Sequence, residues 1–214
     1  TNAYFPFQCL SIPDLFFLLR PTGQSQRPIL LEAIRSLKMV RIAKGVKPGY
    51  ALDVKPKAEQ EKAKYISFYQ KHIKEIEDNL CNFDITHLIH QIKEECVYPT
   101  GFTNKAPDSL KWGGHDAKTY DYQTSLISRI SDLINTEIFN TLLGFQKIPS
   151  GCSSVVESIN AFLSQKHNQL LRISFENIPS SFSVKEIVAN ALATFLLNLA
   201  RKNKFRTDPL IIVI

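Results

Sequence analysis

The chain has 214 residues, of which 44% are hydrophobic, so it is long enough to bury a sizeable core and is not intrinsically disordered. Lys and Arg outnumber Asp and Glu by 26 to 20, and the net charge of +6 favours an anionic partner without naming one. No run of about 18 consecutive apolar residues occurs, so we expect no spanning helix and no membrane partner.

The cysteine pattern indicates the redox state of the cellular compartment. The four cysteines, Cys9, Cys81, Cys96 and Cys152, include no C-x-x-C pair. Four cysteines at these spacings do not make a disulfide framework for a chain of this length, which favours a reducing compartment. We therefore expect a cytoplasmic protein.

The first 44 residues are predicted to be helical. Ser11 is a suitable N-cap for a short helix with Pro13 in its first turn and apolar residues behind it. A second helix is predicted from Gln24 to Ala43, where apolar residues recur at helical spacing until a stop that contains Gly and Pro.

Positive charge is concentrated between residues 35 and 74, which contain eleven Lys or Arg and three acidic residues, a net charge of +8. Arg35, Lys38 and Arg41 recur at three-residue helical spacing, and Lys44 extends the run. We predict that these four side chains contact the phosphates of a nucleic acid. The alternative is an ordinary solvated helical face, because Lys and Arg are mostly exposed in any protein.

Helices are also predicted over 57–80 and 84–97, followed by a loop from Pro99 to Asp116. Zinc accepts the residue types of the spacing C-x5-H-x2-H-x5-C, but structural zinc sites normally place paired ligands two to four residues apart. An ordinary packed or half-exposed helix is therefore the favoured interpretation, and zinc is the alternative. The four residues of this spacing are Cys81, His87, His90 and Cys96.

Common signatures of catalysis are absent from the sequence. None of the eight glycines begins a G-x-x-x-x-G-K-[ST] or G-x-G-x-x-G pattern, which are the usual backbone cradles for nucleotide phosphates. The H-E-x-x-H and G-x-S-x-G signatures are also missing. We therefore expect this chain alone to bind no cofactor or metal.

The last 94 residues begin with a helical pattern that runs from Tyr122 to Gly144. A strand is then predicted at Leu170–Phe175, a helix capped by Ser183 follows, and a second strand is predicted at Leu210–Ile214. This order predicts a βαβ unit in a parallel sheet covered by helices. A buried strand needs a connection leading away from it, so we expect the sequence to be part of a longer protein.

Three stretches together resemble the HerA-type ATPase domain of the FtsK–HerA group of P-loop DNA translocases. They are Leu10–Arg20 with Gln26 and Leu30–Ile34 behind it, Leu126–Ile130, and Ile173–Pro179 continuing through the capped helix to Leu210–Ile214. In that family a strand that ends in an acidic residue, a loop and such a helix lead to the strand that ends in the magnesium-binding acidic pair.

The resemblance implies an α/β fold, as a helix-rich fragment of a P-loop-type parallel-sheet domain. Residues 1–44 and 121–214 then belong to the ATPase domain, and 45–120 form a helical insertion. The phosphate-binding loop is implied to precede Thr1 and the catalytic acid to follow Ile214. ATP and magnesium are therefore expected in the parent protein, and this fragment alone is not expected to be catalytic.

The same resemblance implies a homohexameric ring that threads double-stranded DNA. It implies service in DNA-end processing, or in anti-phage defence beside a nuclease or an NAD-consuming effector. Arg129 is the candidate arginine finger, because charge that develops on the transferred phosphoryl group must be neutralised from a second direction. The alternative for Arg129 is a side chain that snorkels or pairs with a carboxylate such as Asp132.

A rival interpretation belongs to a different class of protein. In it, the chain is a non-catalytic helical module that docks a partner protein through residues 45–120, and the βαβ unit is only a scaffold.

Overall fold

The computed structural model describes residues 3–145, 148, 151–164, 170–176, 178, 184–202, 204 and 211. About 58% of the described residues are helical, and the described strands form two small two-stranded sheets. The chain is therefore an α/β protein rich in helix, as the sequence predicts. The described residues do not show a P-loop fold.

The two N-terminal helices are confirmed. Helix α1 spans Ile12–Leu19, and Ser11 and Asp14 form a capping box in which each side chain accepts a hydrogen bond from the other residue's main-chain N–H. Helix α2 spans Gln26–Val46 and continues one turn past the predicted end at Ala43. Arg20 ends α1 in the left-handed conformation, with a φ of 46°.

The middle of the chain is more broken than the sequence predicts. Helices α3 at Lys62–Lys71 and α4 at Ile73–Ile76 replace the single helix expected over 57–80, and α5 follows at Leu88–Glu95 after a 3-10 turn. Residues 57–61 are not helical, and two of their N–H groups bond to distant parts of the chain. The N–H of Lys57 donates to Glu94, and that of Glu59 donates to the Gly113 carbonyl.

A hairpin lies inside the predicted loop from Pro99 to Asp116. Strands β2 at Gly101–Thr103 and β3 at Ala106–Asp108 pair antiparallel. The two residues between them, Asn104 and Lys105, both have positive φ, which is the backbone of a tight two-residue hairpin turn.

The rest of the described chain is mostly helical. Helices α6, α7, α8, α9 and α10 span Ala117–Asp121, Thr124–Asn135, Glu137–Leu143, Val155–Ser164 and Val184–Arg201. The N-terminal strand β1 at Ala3–Tyr4 pairs in parallel with β4 at Ser153–Ser154, immediately before α9. The final described helix agrees with the predicted one.

The predicted βαβ unit is wrong in its first strand. Residues 170–175 form no strand, and Leu170 is 86% exposed. An apolar run becomes a strand only where a neighbouring strand satisfies its main-chain groups, and in the described structure this run pairs with none. The Ser183 cap and the second strand at Leu210–Ile214 lie outside the described residues, except Ile211, which is exposed and not in a strand.

One large hydrophobic core joins all three predicted parts of the chain. Residues 81–92 of the predicted insertion pack with residues from α1, α2, α7 and α10. The division into 1–44, 45–120 and 121–214 stays a prediction. None of the described helices is long and apolar enough to cross a membrane.

Candidate functional site

Two of the three stretches that carry the resemblance meet where α1, α2 and α7 come together, and Gln26 is at the centre of this corner. The Gln26 side chain is buried, and its Nε2 donates to the Tyr122 carbonyl at 3.1 Å and to Ser125 Oγ at 2.8 Å. Its Oε1 accepts from the Thr22 N–H at 3.1 Å and from Arg129 at 2.8 Å. The amide therefore uses all four of its hydrogen-bonding positions.

Arg129 belongs to the same corner. Its Nη1 donates to the Arg20 carbonyl at 2.6 Å, and its Nε donates to the Ser125 carbonyl at 3.0 Å. Arg20 ends α1, so the guanidinium lies at the negative end of that helix dipole. Arg129 forms no ion pair with Asp132 in the described structure. With the bond to Gln26, three of its five N–H donors are used and two are left.

A second long-range contact joins α10 to α1. The buried carboxylate of Asp14 accepts a hydrogen bond from Asn190 Nδ2 at 2.7 Å, across 176 positions of sequence. The other oxygen of Asp14 accepts the bonds from Ser11 that cap α1. The carboxylate therefore fixes the start of α1 and the side of α10 at once.

The four basic residues predicted to contact phosphates do not share one exposed surface. Arg35 pairs with Glu32 and Glu77, each at 2.7 Å, and Lys44 pairs with Asp53 at 2.6 Å. Arg41 is exposed.

Lys38 is buried, with 1% of its surface exposed. Its ammonium donates to the main-chain carbonyls of Ile76, at 3.2 Å, and Asp78. Burial lowers the pKa of Lys38, against the attraction of Asp78. In a helix of 3.6 residues per turn, each three-residue step falls short of a full turn by roughly 60°. Residues 35 and 44 are three such steps apart, so they lie about half a turn apart around α2. This drift is why the spacing did not produce a common face, and the nucleic-acid role of the four residues stays a prediction.

A buried ion pair between Lys57 and Glu95 is the most unusual electrostatic feature of the described structure. The side chains are 7% and 1% exposed, and the Lys57 ammonium contacts the Glu95 carboxylate directly. The ammonium also lies over the rings of Tyr65 and Trp112, at 4.7 and 5.0 Å from their centroids. The pair could not be predicted from the sequence, because its members are 38 residues apart and belong to no local pattern.

Hydrogen bonds complete the surroundings of Glu95. Its Oε1 accepts from Ser36 Oγ at 2.6 Å and from Gln91 Nε2 at 2.9 Å. Burial raises the pKa of Glu95, because loss of water outweighs the attraction of Lys57 and these hydrogen bonds. The cluster anchors the loop that carries Lys57 to α2 and α5.

The structure does not bring the four residues of the zinc alternative together. Cys81 and Cys96 are buried, and their thiols donate to the main-chain carbonyls of Ser11 and Ile92. Burial, with the nearby charge of Glu95, raises the pKa of the Cys96 thiol to about 12. Among the residues that the structure describes, no three His, Cys, Asp or Glu side chains are grouped to hold a metal ion.

Comparison of the chain with protein-family models, with curated proteins and with solved structures found no match.

Proposed function

We propose that this chain is part of a hexameric, ATP-driven double-stranded DNA translocase of the HerA type. The observation that supports this best is the convergence of the three stretches that carry the resemblance. Arg129 bonds to Arg20 and Gln26, and Asn190 bonds to Asp14, across 103 to 176 positions of sequence. Such contacts are expected if the three stretches belong to one inherited fold.

In this proposal the chain supplies a helical framework, and the rest of the protein supplies the chemistry. ATP and magnesium bind residues of the parent protein outside this sequence, which has no phosphate-binding glycine pattern. The protein is cytoplasmic. It acts in DNA-end processing or, with a nuclease or NAD-consuming effector, in defence against phage.

Arg129 is the proposed arginine finger toward the neighbouring subunit. Its three internal hydrogen bonds hold the guanidinium in one orientation, and its two remaining N–H donors are available to a γ-phosphate. An arginine finger whose guanidinium is already oriented does not have to reorient when charge develops on the transferred phosphoryl group.

The proposal is tested by ATP hydrolysis in the intact protein that contains this sequence, with and without linear duplex DNA. We expect magnesium-dependent hydrolysis that duplex DNA stimulates, by a particle with the mass of six subunits. Absence of hydrolysis from a protein that is folded and purified with its flanking sequence would overturn the proposal.

The role of Arg129 is tested in mixed rings of wild-type and Arg129→Ala subunits. A finger acts on the neighbour's nucleotide, so turnover should fall as the variant fraction rises while wild-type subunits still bind ATP. Arg27→Ala is the matched control, because Arg27 is an exposed arginine at the start of α2. Turnover equal to that of the control rings would remove the finger assignment and leave Arg129 a structural role.

One observation favours the rival interaction module. The hairpin segment exposes large apolar side chains, with Phe102 70% and Leu110 75% exposed. If the chain is such a module, Phe102→Ser with Leu110→Ser should release a stoichiometric partner protein from the intact protein. Under the translocase proposal the same variant should hydrolyse ATP at the wild-type rate.

A further inference from the structure

Lysines surround the half-buried ring of Phe68 on α3 and on the loop that precedes it. An open groove of about 450 Å³ runs along α3 between Lys64 and Lys71, with Ser67 and Phe68 in its lining. The ammonium of Lys55 lies 5.5 Å from the centre of the Phe68 ring. Lys47, at the end of α2, is close enough to Lys55 for its charge to lower the pKa of Lys55. Lys47, Lys55, Lys64 and Lys71 are together called the α3 lysine face.

The charge on this face is poorly neutralised within the protein. Among the described residues, no carboxylate lies within ion-pair distance of Lys47, Lys55 or Lys71, and Lys64 has only the exposed Glu61, at 3.0 Å. Exposed pairs of that kind contribute little. On α2, by contrast, Arg35 and Lys44 are paired with acidic residues and Lys38 is buried. Of that run only Arg41 is exposed without an ion pair among the described residues.

We infer that the α3 lysine face, in place of the predicted run on α2, holds the phosphates of double-stranded DNA. The inference rests on the proposed function, which supplies duplex DNA as the partner. The face offers ammonium groups and a hydroxyl, which bind phosphate oxygens without reading base sequence.

The dimensions of the face fit a continuous line of phosphates. Lys64 and Lys71 are seven residues apart on one helix, so they lie on the same side and roughly 10 Å apart along its axis. Each strand of duplex DNA carries one phosphate per about 3.4 Å of the helix axis, so a span of roughly 10 Å covers about three phosphates of one backbone. The groove is open to solvent, which suits a long polymer better than an enclosed small molecule.

The state of Lys55 agrees with a face that lacks its counter-charge. Burial lowers the pKa of Lys55, and the like charge of Lys47 lowers it further. A phosphate beside these two ammonium groups would offset both effects, because an opposite charge favours the protonated form.

The test is fluorescence anisotropy of a labelled short duplex with the intact protein, over a series of salt concentrations. For Lys64→Gln with Lys71→Gln, we expect the slope of log affinity against log salt to fall by about 2, one unit per lost phosphate contact. The loss should be equal for duplexes of different sequence. Lys64→Arg with Lys71→Arg should keep the wild-type slope.

The matched control is Lys93→Gln with Lys118→Gln, which removes the same charge from exposed positions elsewhere. Equal thermal midpoints show that the variants are folded. An unchanged slope in the α3 variant, or an equal fall in the control, would overturn this inference and leave the translocase proposal standing. A wild-type protein that binds no duplex DNA would overturn both. A wild-type protein that binds anionic lipid vesicles but no duplex DNA would also overturn both.

Discussion

Replacing Lys57 by Met removes the positive partner of the buried Glu95 carboxylate and leaves most of the apolar stem of the side chain. The two side chains are 7% and 1% exposed, so water cannot take the place of the ammonium. Breaking a buried ion pair in this way costs about 3–5 kcal/mol. For a domain of this size, we expect the thermal midpoint to fall by about 6–20 °C.

The loss should depend on pH. Burial already raises the pKa of Glu95 in the wild type, so the stability associated with this group is highest at low pH and declines as pH rises through the raised value. Without Lys57 the pKa of Glu95 rises further, so stability continues to decline over a wider range of pH. We therefore expect Lys57→Met to cost more stability at pH 8 than at pH 5.

Urea unfolding followed by far-UV circular dichroism at the two pH values measures both effects. Lys64→Met is the matched control, because Lys64 is exposed and its pairing with Glu61 is a surface contact worth less than about 1 kcal/mol. Adding Glu95→Gln to Lys57→Met should recover part of the loss, because the amide needs no counter-charge. A loss below about 1 kcal/mol, or one that is equal at pH 5 and pH 8, would refute this reasoning.

Three further outcomes follow from the packing. Gln26→Leu should lower the free energy of unfolding in urea by about 1–3 kcal/mol, because it leaves buried hydrogen-bonding partners unsatisfied. A loss below about 0.5 kcal/mol, the size of a typical surface substitution, would contradict the contacts of that corner. Gly101→Ala should lower stability by about 1–3 kcal/mol, because its Cβ would lie 2.5 Å from the Trp112 carbonyl oxygen, whereas Gly23→Ala has open space and should not. Cys96, whose thiol has a pKa raised to about 12, should react with a thiol reagent far more slowly than half-exposed Cys152, and comparable rates would contradict the burial of Cys96.

The elements that the sequence predicted correctly are those fixed by local rules. The start of α1 follows from Ser11 and Pro13, and α2 follows from a long apolar period that ends near Gly45. The last helix follows from apolar residues at steps of three and four, whose first members, from Val184 to Ala191, are buried. Each of these signals acts within a few residues, so one sequence is enough to find it.

The features that the sequence did not predict depend on distant partners. Residues 57–61 lie outside the helix, where the N–H groups of Lys57 and Glu59 bond to Glu94 and to the Gly113 carbonyl. The apolar run at 170–175 resembles a strand locally but pairs with none in the described structure. The hairpin could have been predicted from the sequence, because Asn is favoured at the first position of its turn.

The residues of the candidate site could be named from the sequence, but their contacts could not. Arg129 and Gln26 were both named from the sequence, but their contact could not be inferred, because it joins positions 103 residues apart. The spacing of the basic residues on α2 was visible, whereas the burial of Lys38 and the carboxylate partners of Arg35 and Lys44 were not. Charge can be counted from a sequence, but its neutralisation depends on tertiary contacts.

The most direct measurement is displacement of a third strand from a triplex on linear duplex DNA by the intact protein. A translocase driven by ATP should remove the third strand while it hydrolyses ATP, faster when the duplex extends beyond the triplex. No displacement, or equal displacement with a non-hydrolysable ATP analogue, would contradict the proposal that this chain belongs to a DNA-translocating motor.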